Sequence, residues 1–94
     1  MSEDKSFSQP VVLHIPSIKR DVHIRDASQA LNSLTSLWPS QRGARHRDAV
    51  ETCLKVLDGH RSAEDARMAL IEAAREAGLL AGRSQPSEPS SARA

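Results

Sequence analysis

Apolar positions repeat with a period of two early in the chain and a period near 3.6 later. Over residues 11–15, Val11, Leu13 and Ile15 alternate with Val12 and His14, the spacing of a strand with one buried face. Pro16 opens the turn-forming stretch PSIKRD, and then Val22 and Ile24 alternate with His23 and Arg25. These runs predict strands over 11–15 and 21–25, joined as an antiparallel hairpin by a loop longer than a two-residue turn. From Asp26 the period lengthens. Ala27, Ala30, Leu31, Leu34, Leu37 and Trp38 fall on one helical stripe. Asp26 is its N-cap, Gln29 the capping-box partner, and Pro39 its stop.

A second helix is predicted over 44–57, with Ala49, Val50, Cys53, Leu54 and Leu57 facing inward. Arg47–Glu51 and Glu51–Lys55 are spaced as i,i+4 surface pairs on it. Gly59 breaks the chain, and Ser62 with Asp65 opens a third helix. Its inward stripe is Ala66, Ala69, Leu70, Ala73, Ala74 and Ala77. Gly78 ends it, and Leu79 and Leu80 fold back onto the core. The fold class is α+β: a two-stranded antiparallel β-hairpin followed by three α-helices, in the order β-β-α-α-α. An isolated hairpin is marginal in water, so its apolar face must lie on the helices. Its edges stay open, and pairing of an edge across a twofold axis would give a dimer.

Composition sets the limits of this domain. The chain has 94 residues, enough for one domain. Residues 1–9 are polar apart from Phe7, and 82–94 are rich in Ser and Pro. Both are expected to be disordered tails around a domain spanning 10–81. Thirteen Lys and Arg face twelve Asp and Glu, for a net charge of +1, so any attraction to a polyanion must be local. Phe7 and Trp38 are the only aromatic residues, too few for a platform that stacks single-stranded bases. Cys53 is the single cysteine, which excludes an internal disulfide. No apolar run reaches the length of a membrane span, and the start, MSEDKSFSQP, has no signal-peptide pattern. The expected setting is a reducing cytoplasm, with no membrane association.

One stretch resists a purely structural account. Arg42, Arg45, His46 and Arg47 crowd the start of the second helix, the end whose partial positive charge disfavours cations. Either they point into water, or something anionic sits there: a phosphate, a carboxylate or a nucleic acid held at the free helix N–H groups. Other chemistry has weaker support. A helix-turn-helix would lead its reading helix with Glu64 and Asp65, which repel DNA phosphates. His14 and His23, expected to face each other on the outer side of the hairpin, fall short of a four-ligand zinc site, and Cys53 is expected to face the core. Metal and cofactor are therefore expected to be none. No glycine-rich phosphate loop, nucleophile elbow or apolar carboxylate pair marks an enzyme.

Several landmarks resemble a known family. They are Trp38-Pro39, Arg42-Gly43, Ala49 and Cys53 four apart on a helix, Asp58-Gly59, and the Ala73, Ala74, Ala77, Gly78 helix end. In this order and spacing they resemble domain-of-unknown-function family 982, a group of short alphaproteobacterial proteins, over residues 10–81. That resemblance implies the domain limits and a bacterial cytoplasmic setting, and assigns no catalytic residue. The expectation is a non-enzymatic domain that binds another protein or its own copy, the latter through the hairpin edge. The alternative is an anion- or nucleic-acid-binding module built on Arg42, Arg45, His46 and Arg47.

Overall fold

A computed structural model describes residues 5–39 and 42–80. The expected tail segments 1–4 and 82–94 lie outside the described residues. Strand β1 (Ser6–Ile15) pairs antiparallel with β2 (Arg20–Asp26). Helix α1 (Ala27–Asn32) follows directly, and its last turn widens to a π-helix over Ser33–Leu37. Helices α2 (Ala44–Leu57) and α3 (Ala63–Ala77) complete the β-β-α-α-α order. The hairpin lays its apolar face on the helices. Val11, Leu13, Ile15 and Ile24 join Ala30, Leu34, Trp38, Cys53, Leu70 and Ala74 in one buried cluster.

Caps form as their chemistry dictates. Asp26 accepts from the Gln29 N–H at 2.8 Å, while the Gln29 Oε1 reaches one residue further back than expected, to the Arg25 N–H at 2.7 Å. Ser62 and Asp65 close a reciprocal capping box at α3. Gly78 ends α3 with φ 72°, the left-handed conformation that glycine adopts without steric cost.

Several expectations are corrected. Strand β1 begins at Ser6, and Phe7 is buried, so 6–9 belong to the folded unit. This end is tied to α3: the Arg67 Nε donates to the Gln9 carbonyl at 3.1 Å, and the Ser8 hydroxyl to Glu64 at 3.0 Å. Phe7 lies in phase with Val11, Leu13 and Ile15 and so turns inward, while the register irregularity between Ser6 and Val11 accompanies the exposure of Gln9, the residue between them on that alternation. On α2, Leu54 is 48 % exposed and Val56 takes the inward position. On α3, Ile71 is fully buried, while Ala69 and Ala77 are only partly so. These shifts follow from where each helix is covered, since α3 packs on both α2 and the sheet. His14 does not face His23. It lies opposite Asp21, with His23 opposite Val12, and the His14 Nδ1 is 2.9 Å from the Asp21 Oδ1. Among the described residues neither Arg47–Glu51 nor Glu51–Lys55 forms an ion pair; pairs form instead between Arg61, just before α3, and Asp65, within α3 at Arg67–Glu64 and Arg75–Glu72, and at His14–Asp21.

The sheet does not leave both edges open. Leu79 and Leu80 return along the outer side of β1, where the His14 N–H donates to the Leu79 carbonyl at 2.7 Å. Leu79 is buried there, as its expected return to the core requires.

Candidate functional site

The basic cluster divides into separate environments. Arg42 belongs to the end of the first helix. Its Nε donates to the Pro39 carbonyl at 3.1 Å and its terminal nitrogen to the Trp38 carbonyl at 3.4 Å. These carbonyls lie just past Leu37, where the first helix ends, so this arginine braces the exit from one helix and is not free at the start of the next. His46 is similarly engaged. Its Nε2 lies 2.8 Å from the Leu34 carbonyl, an acceptor only, so that nitrogen carries a hydrogen. The π-helical turn explains the vacancy His46 fills. In an i→i+5 ladder, Leu34 would accept from residue 39, which is proline and has no N–H. The ring also packs at 5.9 Å from buried Trp38, tilted by 51°.

Arg45 projects elsewhere, into an open groove of about 450 Å³ between α2 and α3. There Arg45, Lys55 and Arg61 meet Asp48, Glu51, Asp65 and Glu72, a mixed surface with a slight acidic excess. Arg47 shares a concavity of about 410 Å³ with Arg42, Gly43, Ala44 and His46. Thus two of the three arginines border one hollow and the third does not. Gly43, the N-cap of α2, supplies no side-chain acceptor to the helix. Instead the Glu76 carboxylate of α3 approaches so closely that a Cβ on Gly43 would lie 2.9 Å from its oxygens. The positive end of α2 therefore already faces a carboxylate of the same chain. Sequence reasoning missed Glu76, since nothing local links position 76 to position 43; the glycine was the only signal.

The remaining candidates fit structural roles. Cys53 is buried, and burial pushes its thiol from 9.0 up to about 11, the reverse of what a nucleophile needs. Among the described residues no three His, Cys, Asp or Glu side chains gather as a metal site. No helix among them is long and apolar enough to cross a membrane.

The open element is the outer edge of β2. His14 and Asp21 lie opposite one another, and the His14 N–H points away from β2 to Leu79. By the alternation of an antiparallel ladder, the main-chain groups of Asp21 and His23 point away from β1. No third strand lies beyond β2 among the described residues. Beside this edge runs a groove of about 310 Å³ between β2 and α1, lined by Val22, His23, Ile24, Ser28, Gln29, Asn32, Ser33 and Leu37. No Asp, Glu, Lys or Arg lines it, unlike the groove at Arg45.

The described residues thus form a small α+β domain: a two-stranded sheet on three helices, with one sheet edge met by Leu79 and Leu80 and the other without a further strand among the described residues. The chain belongs to the family described as "Protein of unknown function (DUF982)", whose model matches residues 9–81. No curated protein and no solved structure matches the chain.

Proposed function

We propose that this chain is a non-enzymatic protein-interaction domain that self-associates through the open edge of β2. The observation that carries the reading is the asymmetry of the sheet. The β1 edge is capped at His14 by Leu79, whereas Asp21 and His23 on β2 turn unpaired main-chain groups outward, a template for a further strand. An uncharged groove alongside supports association, because docking there desolvates no ionic side chain. A chain of this size also gains from burying more surface than one copy can. A bacterial cytoplasmic setting is consistent with a reduced, buried Cys53.

The alternative, an anion- or nucleic-acid-binding module, draws on the hollow shared by Arg42 and Arg47. It has less support. Arg42 and His46 are committed to carbonyls of the chain, Arg45 lies in a different groove, and Glu76 stands at the helix terminus.

The edge is tested by His23→Pro. Proline on an edge strand is tolerated where the N–H faces solvent, so the variant should fold and lose only outward pairing. Sedimentation equilibrium from micromolar to millimolar concentration should show the wild type self-associating and His23→Pro monomeric, with matching circular dichroism. A wild type that stays monomeric throughout, or a His23→Pro chain that associates equally well, overturns the reading.

A further inference from the structure

We infer that the strand docking on β2 is β2 of a second copy, in a register centred on His23. This rests on the edge reading above and adds the partner and the alignment. Strand β2 reads RDVHIRD over Arg20–Asp26. Laid antiparallel against itself about His23, the segment is complementary at every position off the axis. Arg20 meets the partner's Asp26, Asp21 meets the partner's Arg25, Val22 meets the partner's Ile24, and His23 meets the partner's His23. Because the arrangement is twofold, each of the three off-axis matches occurs twice and the His23 pair sits once on the axis, as an isologous interface requires.

Other alignments lose this match. Sliding the centre by one residue to Val22 sets Arg20 against Ile24 and Asp21 against His23. Centring on Ile24 sets Val22 against Asp26 and His23 against Arg25, leaving an apolar residue facing a carboxylate. Cross-strand opposite charges favour a register and directly opposed like charges disfavour it, so charge and hydropathy select the same alignment.

The faces of the strand agree with it. Asp21, His23 and Arg25 are exposed on the outer side of the sheet, and Ile24 is buried on the helix side with half-buried Val22 beside it. The Asp21–Arg25 contacts therefore form on the wet face, while Val22 and Ile24 continue the apolar layer across the axis. His23 and Asp21 present the main-chain groups that make the new ladder. Asp21 already holds the His14 Nδ1 through Oδ1, and a carboxylate has further acceptor capacity for an arginine. The Arg25 N–H is held by the Gln29 Oε1, so that one donor joins the ladder only if Gln29 turns away. The Arg25 carbonyl needs no such change to accept from the partner's Asp21. The product is a four-stranded sheet with β2 at its centre, and the uncharged groove between β2 and α1 lies where the two copies adjoin.

Charge reversal tests the register. Asp21→Arg sets arginine against arginine, and Arg25→Asp sets aspartate against aspartate. Each single variant should dissociate roughly tenfold more readily than the wild type in sedimentation equilibrium, for repulsion at two symmetric positions. Mixed together, the two variants restore both contacts, so an equimolar mixture should regain wild-type association; the double variant Asp21→Arg/Arg25→Asp should do so alone. Both sites are exposed, and matched amide spectra of the monomers confirm the fold. If His23→Pro abolishes association but the mixture is no stronger than either single variant, the register is overturned and the edge reading stands. If His23→Pro leaves association intact, the edge reading falls as well.

Discussion

Cys53 shows how residue type and helical position together assign a role. On an apolar stripe of α2 a cysteine reads as a small hydrophobe, and the side chain is indeed inaccessible. Its thiol is raised from 9.0 to about 11 by burial alone, so the folded chain holds the proton more tightly than the unfolded one. The sign follows from linkage. This contribution to stability is intact below pH 9, declines as pH rises, and is lost once pH passes about 11. Chemical denaturation between pH 8 and 11 should therefore show stability falling across that window, with Cys53→Ala flattening its share of the slope. Thiol labelling of the native chain at pH 7.5 should proceed only as fast as the domain opens. Rapid labelling would remove Cys53 from the core. The basic cluster was legible only halfway. The residue types are plain in the sequence, but their partners depend on long-range geometry. His46 finds Leu34 because Pro39 withholds a donor from a π-turn, and the apolar stripe of α1 does not distinguish a π-turn from an α-turn.

At the scale of elements, period and caps were sufficient for order and type. Asp26, Ser62 and Gly78 stand where helices begin and end, because capping chemistry is local and survives packing. What the pattern hid is non-local. The first part of β1 reads as polar apart from Phe7, and its order comes from the Ser6–Asp26 pairing and from α3, where Arg67 donates to the Gln9 carbonyl and Glu64 accepts from Ser8. The Arg67 side chain is only 13 % exposed, so its bond to Gln9 is shielded from competing water. Removing it with Arg67→Ala should lower stability by about 1.5–3 kcal/mol, the range for a hydrogen bond to a charged group. Amide exchange resolves the effect by position: residues 7–9 should lose protection while 11–15 keep theirs, since the latter are held by continuous pairing with β2 and by Leu79. Uniform loss along β1 would mean that the two parts of the strand open together.

For the whole molecule, the question is whether the arginines act jointly on a ligand. The chain carries nearly balanced charge, and the fold spreads that balance over its surface. Arg45 sits among four carboxylates, Arg42 spans the carbonyls of Trp38 and Pro39, and Glu76 occupies the approach to Gly43. An anion arriving at the start of α2 would meet Arg47 and a partly committed Arg42, and would be repelled by Glu76 at close range, where screening by salt is weakest. Inorganic phosphate titrated into the labelled protein at constant ionic strength should then move the amides of residues 42–48 without saturation up to tens of millimolar. Glu76→Gln removes the resident charge while keeping the shape, and should raise the response at Gly43 and Ala44 above that of the wild type. The comparison separates two ideas that the arginine cluster alone cannot. A saturable wild-type response below about a millimolar would make this end of α2 a ligand site. A response that appears only in Glu76→Gln identifies Glu76 as the anion for which the cluster was arranged.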